Sequence, residues 1–215
     1  MMKTTTSLVV AAALAGGAFA AQAQENVFKI GATRYDTHAK TSGIEGIGVP
    51  PGADVKVGDA TTAILVYERL FGPNFGAELV MGIPPTIKVK AAGSVEFLNA
   101  TGTVLSVENW APTLLFNYHF FEPGATWRPY VGAGINYTQF KNAKSSIASE
   151  VDVGSSWGPA VQVGIEYAIT KDINAFASLA AVKVKSKVVA SDGTVLTTKV
   201  DYRPTVYSLG VAYKF

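Results

Sequence analysis

The segment R-P-Y-V-G-A-G-I-N-Y, from Arg128 to Tyr137, decides between two very different folds. Gly132 and Gly134 suggest a dinucleotide-binding loop, whose fingerprint is G-x-G-x-x-G between a strand and a helix. Tyr137 takes the place of the third glycine, and no helical period follows. Apolar and polar residues instead alternate from Arg128 to Phe140, which is typical of a β-strand with two different faces. The segment is therefore predicted to be a strand, in which the glycines reduce the side-chain volume on one face.

The same alternation of apolar and polar residues recurs along the chain. It predicts seven further strands, at residues 27–36, 61–71, 74–83, 112–120, 157–169, 173–187 and 206–215. With the segment at residues 128–140, the predicted total is eight strands. Many strands of period two also explain why mean hydropathy is positive although no long apolar block follows residue 23.

The predicted links between these strands alternate in length. Short turns are predicted at residues 72–74, 122–127 and 170–172, and long loops at residues 38–58, 90–103, 141–154 and 189–196. An even number of strands with short turns at one end and long loops at the other is typical of outer-membrane barrels. The sequence thus predicts an all-β fold, an eight-stranded antiparallel transmembrane β-barrel with short periplasmic turns and longer extracellular loops.

The N-terminus predicts export from the cytoplasm. Lys3 precedes an apolar run at residues 8–21, and Ala21-Gln22-Ala23 fits the cleavage site of a secretory signal peptide. The run is shorter than the ~20 residues that a membrane-spanning helix needs. We therefore predict a cleaved signal peptide at residues 1–23 and a barrel domain at residues 24–215.

Composition narrows the function classes. Without Lys3, 17 basic residues face 16 acidic ones, a net charge of +1 that does not suggest a nucleic-acid partner. The chain contains no cysteine and two histidines, so neither disulfides nor a metal site are expected. A closed barrel stabilises itself without disulfides, because every backbone group of its strands is hydrogen-bonded.

Two barrel types fit the alternation, and they differ in which face is apolar. A soluble lipocalin-like barrel has its apolar face inside and a charged exterior. Here the second face of each strand is rich in Gly, Ala, Ser and Thr and has few charges, which favours an apolar exterior in a membrane. Aromatic residues near the short turns are expected to form an interfacial girdle. They are Tyr67, Phe71, Phe75, Tyr118, Phe120, Trp127, Tyr167, Tyr213 and Phe215.

Several motifs resemble the OmpW family of small Gram-negative outer-membrane proteins. They are the segment at residues 128–140, S-W-G-P-A-V-Q-V-G-I-E-Y at residues 156–167, P-T-L-L at residues 112–115 and the C-terminal Y-K-F. The long loops depart from the family pattern. The resemblance implies an eight-stranded barrel with an apolar lumen that passes small hydrophobic compounds across the outer membrane. Tyr213 and Phe215 resemble the C-terminal signal that the barrel-assembly machinery recognises.

An enzymatic role is not expected. Some small outer-membrane barrels carry a histidine-based catalytic site at the extracellular rim, and His38 begins a long loop close to Asp36. No spacing identifies the further partners that a triad requires, so a solvated loop histidine is the simpler interpretation. We predict no catalytic residues and no cofactor.

The inward faces predict two different environments inside the barrel. Near the short turns the inward residues are charged and predict an ionic plug: Lys29, Glu68, Glu78, Arg128, Glu166 and His119. Lys29 and Arg128 are expected to pair with the three carboxylates across the barrel, because isolated buried charges are costly. Further towards the long loops the inward residues predict an apolar ligand-binding lumen: Ile64, Val66, Val80, Leu115, Phe176, Ala180 and Val182.

These features predict a barrel that binds or passes small hydrophobic molecules and releases them sideways into the membrane. Pro84-Pro85 and Gly158-Pro159 are candidate positions for a lateral gap in the strand ladder, although the simpler interpretation of each is that it ends a strand. The alternative is a structural or surface-binding barrel that acts through its loops. The expected partners are the small hydrophobic ligand, the barrel-assembly machinery, and outer-membrane lipid and lipopolysaccharide. Their phosphates would meet Lys88, Lys90, Lys183, Lys185 and Lys187, for which ordinary solvation at the rim is an equally good interpretation.

Overall fold

The computed structural model describes residues 25–148, 150–191 and 195–215. Eight strands form a closed antiparallel barrel, in which the last strand pairs with the first. They are β1 (Asn26–Asp36), β4 (Ala60–Phe71), β5 (Phe75–Gly82), β8 (Thr113–His119), β9 (Trp127–Ser145), β11 (Ser156–Ala168), β12 (Ile173–Val182) and β15 (Thr205–Lys214). The predicted eight-stranded antiparallel barrel is confirmed. The predicted signal peptide, residues 1–23, lies outside the described residues.

The exterior of the barrel is apolar, whereas its interior contains both polar and apolar side chains. In β9, Val131 and Ile135 are exposed, whereas Asn136 and Thr138 are buried. Leu209 is 66 % exposed, although it lies in the middle of β15. Hydrocarbon is the solvent that suits such a surface, since lipid-facing and lumen-facing residues alternate in membrane barrels. In the described part of the chain, no helix is both long and apolar enough to cross a membrane.

An aromatic girdle surrounds the end of the barrel that carries the short turns. Trp127 and Tyr167 lie with their ring centroids 4.5 Å apart, and Phe75 and Tyr118 lie 5.2 Å apart in an edge-to-face contact. All nine aromatic residues expected there are exposed. By analogy with outer-membrane barrels, this end faces the periplasm.

The long connections differ from the prediction, because they are largely strands rather than loops. Seven strands lie in them: β2 (Lys40–Thr41), β3 (Ala53–Val57), β6 (Thr86–Gly93), β7 (Leu105–Trp110), β10 (Glu150–Val153), β13 (Val184–Ser191) and β14 (Val195–Tyr202). A short 3₁₀-helix, Glu96–Thr101, follows β6. The first extracellular sheet has the order β3-β6-β7-β9, and the second has the order β10-β13-β14-β2. Together they continue the barrel wall beyond the membrane.

Two strand boundaries differ from the prediction for a physical reason. β9 continues to Ser145 because its upper part pairs with β7 in the first extracellular sheet. The strand predicted at residues 173–187 is divided at Lys183, whose N–H donates to the carbonyl of Pro159 at 3.1 Å. Proline has no N–H for the ladder, so the chain leaves the barrel here and enters the second sheet.

Candidate functional site

Lys29 lies at the centre of a buried ionic cluster inside the periplasmic half of the barrel. Its Nζ is 2.9 Å from Glu68, 3.1 Å from Glu78 and 3.0 Å from Glu166, and its side chain is 1 % exposed. Glu68 and Glu78 are directly opposite each other on β4 and β5, while Glu166 reaches in from β11. Three strands thus bring three carboxylates to one ammonium group.

Arg128 and His119 complete the set of charged side chains at this level, and both are buried. His119 Nε2 shares a hydrogen bond of 2.7 Å with Glu68. The prediction that Arg128 pairs with a carboxylate is wrong. Within the described residues, its guanidinium instead donates to the carbonyl of Pro73 in the first short turn. Arg128 therefore attaches this turn to the barrel interior, and Lys29 alone bridges the three carboxylates.

Buried amides satisfy the remaining carboxylate oxygens, and the sequence interpretation did not include them. The donor–acceptor pairs are Asn117 to Glu68 at 2.8 Å, Gln162 to Glu78 at 2.8 Å, and Asn174 to Glu166 at 2.7 Å. Gln162 also donates to Asn117 at 2.8 Å. These amides lie on the inward faces of predicted strands, and this position could have identified them. The predicted ionic plug, however, included charged side chains and His119 only. The six charged residues and these amides form one hydrogen-bonded cross-section, which we call the ionic layer.

A cavity lies directly above the ionic layer, and we call it the lumen cavity. All seven residues predicted for the apolar lumen line it: Ile64, Val66, Val80, Leu115, Phe176, Ala180 and Val182. Its volume is about 60 Å³. Because a water molecule needs roughly 10–15 Å³ of such space, the cavity holds only a few waters, as expected when side chains nearly fill an eight-stranded barrel.

The wall of the lumen cavity also carries polar atoms. Asn136 donates to Thr113 at 2.8 Å, and Thr138 donates to Asn136 at 2.6 Å. Asn109 Oδ1 and Tyr202 Oη, both buried at the cavity wall, have no hydrogen-bond partner within the described residues. The cavity is therefore apolar on most of its wall, with two polar atoms available to water or to a ligand.

A second apolar cavity, of about 90 Å³, lies between the two extracellular sheets, and we call it the vestibule. Its lining includes Val55, Val57 and Val89 from the first sheet, and Val188 and Val200 from the second. The strands β13 and β14 line both cavities, so the vestibule lies on the extracellular side of the lumen cavity. The vestibule was not predicted, because Val55 and Val57 lie in the predicted loop at residues 38–58 and the other three valines lie outside every predicted strand.

The strand ladder is interrupted at the level of the lumen cavity. The pairing of β5 with β8 stops two residues before β5 ends. The next backbone hydrogen bond between the two segments joins the N–H of Asn109 to the carbonyl of Pro85 at 2.9 Å. Prolines on both sides have no N–H to donate. Within the described residues, therefore, no backbone hydrogen bond joins residues 81–84 to residues 110–112.

The two proline positions singled out in the sequence are not equivalent. Pro84-Pro85 borders this interruption, whereas Gly158-Pro159 lies inside a closed ladder. Gly158 is paired with Asn136 of β9, and Pro159 accepts a hydrogen bond from Lys183 on its other side. A side chain at Gly158 would lie 1.6 Å from the carbonyl oxygen of Lys183, so this glycine serves the close approach of two backbones.

The remaining sequence candidates lie at the two ends of the barrel. His38 is exposed, and Asp36 accepts a hydrogen bond of 2.7 Å from Arg34 rather than from a histidine. No group of metal-ligating side chains is found within the described ranges. At the periplasmic end, the N–H and carbonyl of Phe215 bond to Asn26 at 2.9 and 3.0 Å and extend by one pair the β1–β15 ladder that closes the barrel, with the ring stacked on Tyr213.

Known proteins support this architecture. The model of the OmpW family matches residues 22–215. Outer membrane protein W of Salmonella typhi is 30 % identical over 99 % of this chain and 98 % of that protein. Outer membrane protein W of Escherichia coli K12 is 32 % identical, and that match covers 64 % of this chain and 59 % of that protein.

One further relative and one structure of the same fold come from Pseudomonas aeruginosa. The dibenzothiophene metabolism operon protein PahQ is 33 % identical over 58 % of this chain and 57 % of that protein. The crystal structure of the outer membrane protein OprG has the same fold, with a TM-score of 0.82, 24 % identity, and coverage of 89 % of this chain and 95 % of that chain. The chain therefore belongs to the OmpW family and is an integral β-barrel protein of the outer membrane.

Proposed function

We propose that this barrel passes small hydrophobic molecules from the cell exterior through the vestibule and the lumen cavity and releases them sideways into the outer membrane. The observation that carries the proposal is the order of the compartments along the barrel axis. An apolar vestibule is followed by an apolar cavity, an interrupted ladder beside it, and an ionic layer below it.

The energetics favour an apolar solute and a sideways exit. Each methylene group gains about 0.8 kcal/mol on transfer from water to an apolar environment, so a chain of eight gains roughly 6 kcal/mol. Entering the ionic layer would require the solute to break hydrogen bonds of buried charges, which cost several kcal/mol when left unpaired. Residues 81–84 and 110–112 separate the lumen cavity from the hydrocarbon of the membrane. Because no backbone hydrogen bonds join these two segments, a solute that leaves between them breaks no strand ladder.

The name of one relative supports the proposal of this class of substrate. The name of PahQ connects it with dibenzothiophene metabolism. Dibenzothiophene is an apolar aromatic compound, which is the type of molecule that an apolar cavity above a closed layer would pass. We propose the class of substrate for this chain, not the particular compound.

A matched pair of substitutions tests the proposal. Ala180 lines the lumen cavity, and the next residue, Ala181, is exposed on the lipid-facing side of the same strand. Ala180→Trp should fill the cavity and reduce uptake of a radiolabelled hydrophobic compound, such as dibenzothiophene, to the level of cells without the protein. Ala181→Trp adds the same volume towards lipid and should leave uptake unchanged.

The outcome also separates transport from surface binding. If Ala180→Trp is folded and transports normally, while deletion of the vestibule strands abolishes attachment to a surface partner, the surface-binding alternative replaces transport. Heat-modifiable migration of both variants establishes that each barrel is inserted and folded.

A further inference from the structure

The outer face of the first extracellular sheet is basic and carries two lysines directly opposite each other. Lys56 on β3 is paired with Lys90 on β6, and Lys88 lies two residues further along the same face. Lys144 on β9 and Lys88 are both paired with Ser106, which lies between them on β7. All four lysines are exposed. We call this set the lysine face.

The lysine face is costly unless an anion covers it. Directly opposed residues in antiparallel strands have Cβ atoms about 4.5–5.5 Å apart, and like charges in this position are destabilising. In the described part of the chain, none of the four lysines has a carboxylate within 4.0 Å. The acidic residues of the same face have other partners: Asp54 accepts hydrogen bonds from Thr41 and Val55, and Glu108 accepts one from Asn142.

The lysine face lies just outside the hydrocarbon. Trp110, on the same sheet, is exposed, and Lys141 Nζ lies 4.8 Å from its ring centroid, as expected for a residue pair at the membrane boundary. Ser106 is four residues beyond Trp110, which places Lys88 and Lys144 roughly 10 Å above that level for a strand tilted by about 40°. In the outer leaflet, this depth is occupied by the phosphorylated head group and inner core of lipopolysaccharide.

We propose that the lysine face is a binding site for the phosphate groups of lipopolysaccharide in the surrounding outer leaflet. The four strands of this sheet span about 14 Å from β3 to β9, so the lysines cover an area that one polyphosphorylated head group can contact. Each ammonium acts as a point charge that neutralises a phosphate oxygen. The contact would hold the extracellular sheet upright, and it does not depend on what the barrel transports.

The double variant Lys56→Gln/Lys90→Gln tests the site, because its effect on the melting temperature should have opposite signs in bilayers with and without lipopolysaccharide. In bilayers without lipopolysaccharide, removal of the opposed charges should raise the melting temperature of the barrel. In bilayers whose outer leaflet is lipopolysaccharide, the same variant should melt below the wild type. Its affinity for lipopolysaccharide should fall by about fivefold for each lysine removed, or roughly 25-fold in total. Lys171→Gln, on a periplasmic turn, should show neither effect.

Three outcomes would overturn the proposal. One is a melting temperature that changes in the same direction in both bilayers. The second is an effect that persists with dephosphorylated lipopolysaccharide, because sugars would then be the ligand. The third is equal stabilisation of the wild type by millimolar inorganic phosphate, which would indicate a site for free anions rather than for the lipid.

Discussion

Lys29→Met is the substitution that most severely tests the ionic layer. Methionine is close to lysine in length and fills the same space, so the change removes charge and hydrogen bonds but leaves little void. The three carboxylates that lie 2.9–3.1 Å from Nζ would lose their shared cation. Their amide donors and His119 would remain, but none of the amides carries a positive charge.

The expected cost is large because the cluster is buried. Removing one partner of a buried ion pair costs about 3–5 kcal/mol, since the other charge is left uncompensated. Lys29 serves three carboxylates, so we expect a loss at or above the upper end of that range. Glu166→Gln should cost less, because Lys29 keeps two carboxylates and Asn174 can still bond to the new amide oxygen. The double variant Lys29→Met/Glu166→Gln should lose less free energy of unfolding than the two single variants together, because contacting residues are coupled by about 0.5–3 kcal/mol.

Urea unfolding in liposomes measures these losses, with the heat-modifiable shift on gels as the second probe. Lys171→Met is the matched control, since its side chain is 89 % exposed and surface substitutions stay within about 0.5 kcal/mol. Equal free energies of unfolding for Lys29→Met and Lys171→Met would refute the reasoning. Water would then solvate the carboxylates, and the periplasmic half of the barrel would be open.

Three further predictions follow from single contacts. Deleting Phe215 removes the two terminal hydrogen bonds between β15 and β1 and should lower the yield of heat-modifiable protein in outer-membrane fractions. The backbone N–H of Thr37, 3.0 Å away, and then Arg34 hold the pKa of Asp59 below its ordinary value. The stabilisation that these contacts give to the ionised Asp59 is therefore present above about pH 4 and is lost as the pH falls through the lowered pKa. The difference in melting temperature between the wild type and Asp59→Asn should then vanish in acid. Val80→Asp places a carboxylate in the wall of the lumen cavity and should abolish binding of a hydrophobic fluorescent probe by a barrel that still migrates as folded.

Period-two alternation was sufficient to predict the barrel because each of its strands has one face towards lipid and one towards the lumen. Lys29 and Ile64, for instance, could be assigned to the interior from their parity alone. The partners of the charged residues could not be predicted, because they depend on register and side-chain length. Arg128 reaches the carbonyl of Pro73 rather than a carboxylate for this reason.

In the extracellular sheets, the period-two alternation continues beyond the predicted barrel strands. The stretch Ile87-Lys88-Val89-Lys90-Ala91 alternates as clearly as any barrel strand, and in the structure its valine lines the vestibule while its lysines are exposed. By contrast, the predicted strand ends at residue 83 and the predicted loop begins at residue 90, so residues 87–89 belong to neither prediction. The prolines alone do not distinguish Pro84-Pro85, which borders the interruption, from Gly158-Pro159, where the closed ladder depends on the neighbouring strand.

We expect the barrel to conduct hydrophobic solutes and to exclude ions. Purified protein in vesicles with a lipopolysaccharide outer leaflet allows both fluxes to be measured on one preparation. The account predicts faster transfer of dibenzothiophene into the membrane than in protein-free vesicles, no ion conductance, and loss of the acceleration in Ala180→Trp but not in Ala181→Trp. Steady ion conductance without accelerated transfer of dibenzothiophene would contradict it.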